Sequence, residues 1–177
     1  MFAIPVEMLT AVPSLAEAVR PALAADAVVV APDLGATKLA ERFASLLNAP
    51  VAVVRKTRVS GTAVRAEELV GDVAGRAAVI VDDMISTGGT IEAALRVVTA
   101  YGATPDVVVA ATHGLFVGPA AQRLGGPHLR RLVVTDSTAL SDGLGLPIHV
   151  QSIAALLADA VGRLHRSEPL DELLIRT

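Results

Sequence analysis

Ala78-Val79-Ile80-Val81-Asp82-Asp83-Met84-Ile85-Ser86-Thr87-Gly88-Gly89-Thr90 runs from a β-branched segment into two acids, then into a hydroxyl-and-glycine turn. The apolar run predicts a strand buried on both faces, as parallel strands are. Gly88 and Gly89 permit a close backbone approach that a β-carbon blocks, so several N–H groups can converge on phosphate oxygens at a helix amino terminus. The hydroxyls of Ser86, Thr87 and Thr90 can donate as well. Adjacent carboxylates at a strand end are poorly explained by packing, but they accept hydrogen bonds from a vicinal pair of sugar hydroxyls. The plainer alternative is a capped strand-to-helix turn whose acids are merely solvated.

Outward from this stretch, short β-branched runs alternate with segments of helical period. Val28–Ala31, Val51–Val54, Val79–Asp82, Val107–Ala111, Leu132–Thr135 and Ile148–Val150 read as strands. Leu39, Phe43, Leu46 and Leu47 fall at helical spacing, as do Ile91, Leu95 and Val98, with Gly102 placed to end the second helix. Ser152 is placed to cap a third helix, striped by Ile153, Leu156, Leu157 and Leu164 and carrying Arg163, His165 and Arg166 near its carboxyl end. The expected fold is α/β: a single doubly wound domain with a mainly parallel sheet. Arg55–Glu68 is polar, without a period of either kind, and reads as a mobile loop. In open parallel sheets ligands bind beyond the carboxyl ends of the strands, which directs attention to the segments after Ala31, Val54 and Asp82.

Bulk composition narrows the function. The chain has 177 residues, enough for one domain with a substantial core; 53% are hydrophobic and 19% charged, which excludes disorder and points to a subunit contact. A net charge of -3 argues against nucleic acid or acidic lipid held by bulk electrostatics. Without cysteine there is no disulfide framework, thiolate metal cluster or cysteine nucleophile, and His113, His128, His149 and His165 show no close metal-ligand spacing. No secretory signal or membrane-spanning apolar run is present, so the expected location is the cytoplasm.

The stretch Ala78–Thr90 resembles the phosphoribosyl pyrophosphate-binding motif of the type I phosphoribosyltransferase family. Thr112-His113-Gly114-Leu115-Phe116, the opening Ile4-Pro5-Val6 with Leu9–Pro13, and Val30-Ala31-Pro32-Asp33-Leu34-Gly35 are similar to the carboxyl-terminal half of ribose-phosphate pyrophosphokinases. The resemblance implies a site in which Asp82, Asp83, Ser86, Thr87, Gly88, Gly89 and Thr90 hold ribose 5-phosphate or phosphoribosyl pyrophosphate. It implies a pyrophosphate loop at Asp33, Leu34, Gly35 and Ala36, with Asp33 assisting Mg2+. Ala36 stands where the family pattern has a second glycine. Taken alone, Pro-Asp-Leu-Gly after a strand reads as an ordinary turn.

Lys56 and Arg58 match the Lys-x-Arg of the family's flexible catalytic loop, where cations neutralise the transferring phosphoryl oxygens; without that context they read as a solvated charge cluster. His113 reads as hydrogen-bonded structure, and Thr135-Asp136-Ser137-Thr138 as either a pocket edge or a side-chain-bonded turn. The resemblance further implies that the family's amino-terminal half, which supplies much of the adenine pocket and a magnesium-placing histidine, is absent. Three functions follow as alternatives: pyrophosphoryl transfer from ATP to ribose 5-phosphate with a partner for the nucleotide; a compact phosphoribosyltransferase using preformed phosphoribosyl pyrophosphate; and a metabolite sensor or accessory subunit. A homo-oligomer, or a complex with a nucleotide-binding partner, is expected.

Overall fold

The computed structural model describes residue 4 and residues 6–59 and 64–174, with side chains for all of these except 56–59 and 64–66. In chain order the elements are α1 (Val12–Val19), a short 3-10 turn (Arg20–Ala22), β1 (Val28–Ala31), α2 (Thr37–Leu47), β2 (Val51–Val59), β3 (Val64–Val70) and β4 (Ala78–Ile85). There follow α3 (Gly89–Ala100), β5 (Val107–Gly114), α4 (Ala120–Leu124), β6 (Leu129–Thr135), β7 (Ile148–Gln151) and α5 (Ala154–His165). Seven strands form one sheet in the order β3-β2-β1-β4-β5-β6-β7, parallel throughout except for the antiparallel β2–β3 pair. This is the doubly wound α/β domain that the alternation of elements predicts.

Strand periodicity divides the core into two layers. Val28, Val30, Ile80, Val107 and Val109 pack on one side with Ile91, Val98 and Leu124 from α3 and α4. Their neighbours Val29, Ala31, Val79, Val81 and Val108 pack on the other with Leu15, Val19 and Phe43 from α1 and α2. Each central strand is thus apolar on both faces, and successive residues serve opposite layers. Gly102, at φ 85, terminates the α3 segment as the sequence predicts. Ser152 accepts the Ala154 N–H at 3.2 Å at the start of α5. The α5 stripe is less buried than its spacing implies: Leu157 and Leu164 are exposed.

One sequence expectation is corrected. Arg55–Glu68, read as a loop, consists largely of strand: β2 runs on to Val59, and β3 pairs with it from Val53↔Val70 to Val59↔Val64. The reason lies in the register. β1 pairs with β2 only from Val51 to Val53, so beyond Val53 the β2–β3 pair is a two-stranded ribbon projecting past the body of the sheet. Val54 and Leu69 at its base are buried on the α3 side of the sheet, but the sequence beyond them is polar, so periodicity does not reveal the ribbon. Sequence reading also passes over α1 and the five-residue α4.

Candidate functional site

Two strand-to-helix turns lie side by side at the carboxyl edge of the sheet, because β1 and β4 are neighbours in parallel. After β4 the chain crosses Ser86, Thr87 and Gly88 and enters α3 at Gly89. Gly88 is the helix N-cap, at φ 76 in the left-handed region, and no side chain caps the helix. The first bond into α3 is from the Glu92 N–H to the Gly88 carbonyl at 2.9 Å. Among the described residues, no acceptor is found for the N–H groups of Gly88, Gly89 and Thr90. A helix start that leaves these donors open, with the positive end of the helix dipole behind them, suits an anion. A small cavity of about 100 Å³ lined by Met84–Ile91 occupies this turn.

The carbonyls of the same turn are held from the other side. The Leu115 and Phe116 N–H groups donate to the Ile85 carbonyl at 3.0 and 3.1 Å, and the Val117 N–H donates to the Ser86 carbonyl at 3.0 Å. Arg123 Nη1 donates to the Thr87 carbonyl at 3.0 Å. Phe116 makes this mould with φ 46, an uncommon backbone for an aromatic residue, held by burying its ring. Gly88 meets α4 closely: a β-carbon there would lie 3.2 Å from Leu124 Cγ.

The neighbouring turn after β1 is built differently. Asp33 Oδ1 accepts the N–H groups of Gly35 at 2.9 Å and Ala36 at 3.2 Å, so the loop supplies its own anion. Leu34 is exposed, and its carbonyl accepts the Thr37 hydroxyl at 2.9 Å. A pocket of about 480 Å³ opens between the turns, lined by Asp33, Gly35, Ala36, Asp82 and Asp83, with Lys38 and Arg42 from α2. Asp82 is half-buried, and its Oδ1 accepts the Asp83 N–H at 2.9 Å. Burial pushes the Asp82 carboxyl up to about 7, with the charges of Asp83 and Asp33 adding to the effect. A site that raises a carboxylic acid this far favours whatever supplies it with positive charge or a donated proton.

The structure places Asp33, Gly35, Ala36, Asp82 and Asp83 around one pocket and Ser86, Thr87, Gly88, Gly89 and Thr90 around a second at the next turn, with exposed Leu34 lining neither. The backbone of Lys56 and Arg58 lies on the projecting ribbon, opposite Glu67 and Arg65 respectively; their side chains lie outside the described residues. His113 Nδ1 bonds the Ser137 hydroxyl at 2.7 Å, the structural role expected of it. At the end of β6 and just after it, Thr135 donates to the Thr112 carbonyl at 2.7 Å and Thr138 to the Gly114 carbonyl at 3.1 Å, so this segment is a side-chain-bonded turn. Asp136 accepts the Ile153 N–H at 2.8 Å, and the Ser152 hydroxyl with that amide holds its carboxyl below the ordinary value.

Sequence reading missed Lys38, Arg42 and Arg123. The first two are spaced four apart on the helix that follows the Asp33 turn, a signal that was available. Arg123 carries no local signal, because only the packing of α4 on Gly88 brings it to the turn.

The phosphoribosyl synthetase-associated domain model matches residues 62–175. The chain belongs to the phosphoribosyl synthetase family. Among curated relatives, this phosphoribosyl synthetase-family chain is 39% identical over 176 residues to the ribose-phosphate pyrophosphokinase of Clostridium perfringens, covering 97% of itself and 55% of that protein. It is 45% identical over 161 residues to the corresponding protein of Streptomyces avermitilis, covering 89% of itself and 49% of that protein. The chain thus spans about half the length of the curated relatives it matches. The crystal structure of phosphoribosylpyrophosphate synthetase from Mycobacterium smegmatis superposes with a TM-score of 0.78 at 36% identity, over 89% of this chain and 51% of that one. Orotate phosphoribosyltransferase from Aeropyrum pernix shares the fold, with a TM-score of 0.56 at 21% identity over 86% of this chain and 74% of that one. The fold is that of the type I phosphoribosyltransferases.

Proposed function

We propose that this chain carries the sugar-phosphate half of a ribose-phosphate pyrophosphokinase site and takes part in pyrophosphoryl transfer from ATP to ribose 5-phosphate. The observation that supports it most is the open ring of N–H groups at Gly88, Gly89 and Thr90, a short run of chain beyond the acids Asp82 and Asp83. In this reading the amides and the Ser86, Thr87 and Thr90 hydroxyls hold the 5-phosphate, and Asp82 and Asp83 accept bonds from the ribose hydroxyls. The oxygen of the anomeric hydroxyl forms a bond to the β-phosphorus of ATP. The bond from that phosphorus to the α–β bridging oxygen breaks, AMP leaves with the electron pair, and the hydroxyl proton passes to solvent. Lys56 and Arg58 on the ribbon stabilise the oxygens of the transferring group, and the turn Asp33–Ala36, with Lys38 and Arg42 beside it, receives the pyrophosphate.

Mg2+ fits the donors loosely. Among the described residues no three His, Cys, Asp or Glu side chains form a metal-holding group. Mg2+, however, is commonly held by one or two carboxylates with substrate phosphates and water, and Asp33 stands beside the pocket as a hard oxygen donor. When bound, the ion neutralises charge on the polyphosphate. A partner chain or further segment supplies the nucleotide pocket in this reading, and the exposed stripe Leu157, Val161 and Leu164 on α5 supports a subunit contact.

The test is calorimetric titration with ribose 5-phosphate and with phosphoribosyl pyrophosphate, followed by incubation with Mg2+, ATP and ribose 5-phosphate. Stoichiometric AMP and phosphoribosyl pyrophosphate are the expected products, with Lys56→Ala/Arg58→Ala lowering turnover by about a hundredfold at little cost in sugar-phosphate affinity. Binding without turnover favours the sensor reading. Consumption of phosphoribosyl pyrophosphate only with an added base favours a phosphoribosyltransferase. Failure to bind either sugar phosphate ends the proposal.

A further inference from the structure

The β4–α3 turn is gripped on one side by three consecutive carbonyls. Those of Ile85 and Ser86 are taken by main-chain N–H groups of residues 115–117, and that of Thr87 by the side chain of Arg123. At Gly118 the chain turns into α4, where the Arg123 N–H is committed to the Pro119 carbonyl at 3.0 Å. The main-chain donors to the turn end at Val117, and a long side chain with several donors takes the next carbonyl.

The arginine is aimed rather than loosely disposed. Leu124, its neighbour on α4, is buried against Gly88. The arginine Nε lies 3.6 Å from Glu92 Oε2 in the first turn of α3, and Nη1 would lie 3.4 Å from a β-carbon at Gly89. The guanidinium is therefore tied to both sides of the helix entrance. A peptide unit has its carbonyl and its N–H on opposite sides, so holding the Thr87 carbonyl toward Arg123 turns the Gly88 N–H the other way. Were that carbonyl to rotate inward, its partial negative charge would face the anion.

We infer that Arg123 is the positioning residue of the sugar-phosphate turn: by fixing the Thr87 carbonyl it aims the Gly88–Thr90 amides at the 5-phosphate, without itself touching the sugar. This rests on the reading of the turn as a phosphate cradle, and it assigns a role to a residue outside the motif.

The experiment compares wild type with Arg123→Met and Arg123→Lys, after equal far-ultraviolet spectra confirm folding. Two quantities are read: the hydrogen-exchange protection of the Glu92 amide, which forms the first helix bond, in the unliganded protein; and the calorimetric affinity for ribose 5-phosphate. Arg123→Met is expected to lower both by about tenfold, and Arg123→Lys, which keeps one charged donor, to restore both to within about threefold. Loss of protection without loss of affinity, loss of affinity without loss of protection, or no rescue by lysine overturns the inference. If wild type binds no ribose 5-phosphate, the cradle reading falls by itself. Exchange at Glu92 then decides separately whether Arg123 positions the turn, and unchanged protection overturns that too.

Discussion

The turns after β1 and β4 occupy equivalent places on adjacent parallel strands, and each opens a helix, yet they answer the same electrostatic problem in opposite ways. At the first, Asp33 folds back onto the Gly35 and Ala36 N–H groups, so the amides of the turn itself are taken from within, although α2 has no side-chain cap. At the second, Gly88 enters the helix at positive φ with no side-chain cap, and the donors remain open. A turn whose amides are held by its own acid resists change by itself; one whose amides are open is completed by what binds to it. Asp82 lies between the two and feels both, since burial and the charges of Asp83 and Asp33 all oppose its ionisation.

The sharpest way to break this comparison is Gly88→Val. A β-branched residue at φ 76 is strained, and its side chain would press into Leu124, 3.2 Å from where a β-carbon falls. A loss of about 2–3 kcal/mol in denaturant unfolding is expected, together with loss of ribose 5-phosphate binding. A stable variant that binds as wild type would show that the left-handed entry is not what shapes the cradle.

A smaller effect is expected from Asp82→Asn, and it depends on pH. The Asp82 carboxyl rises from 3.8 to about 7 on folding, so the folded state holds the proton more tightly than the unfolded one. Its favourable contribution is full below about pH 4 and is lost as pH climbs through 7. The amide of an asparagine at this position has no such proton to lose. The variant is expected to match wild type near pH 4 and to exceed it at pH 8 by about 1–2 kcal/mol, after allowance for solvent screening of a half-buried group. Thermal unfolding at the two pH values checks this; a constant difference would place the acid in a wetter setting than its pocket suggests.

The smallest effect belongs to the turn that Asp33 holds. Asp33→Ala removes the acceptor for two N–H groups near the start of α2 and is expected to cost about 1 kcal/mol in denaturant unfolding. A loss of that size at β1, where β4 has no internal acceptor to lose, would confirm the contrast; no loss would erase it.

Much of this contrast is legible in the sequence at the β4 turn and little of it at the β1 turn. Gly88, Gly89 and the acids announce an open, glycine-entered turn because they allow a backbone that a side chain would strain, whereas Pro32–Ala36 reads the same whether its amides face a ligand or Asp33. The ribbon reads as a loop for a related reason. Val51–Val54 is apolar because the two layers cover it, Ala52 and Val54 on one face and Val51 and Val53 on the other, and the signal stops beyond Val54 although the strand does not.

What the sequence by itself determined is local: the buried β-branched runs that order six of the seven strands, the helical stripes between them, and the chemistry of the Asp82–Thr90 turn. These are set by backbone freedom and by which residues tolerate burial. Tertiary structure alone decided that Arg123 donates to a carbonyl 36 residues away, that Asp33 and Asp82 face one pocket with Lys38 and Arg42, and that the Asp82 carboxyl is pushed up to about 7. Each depends on desolvation or on contacts between distant segments, and neither quantity exists until the layers have packed.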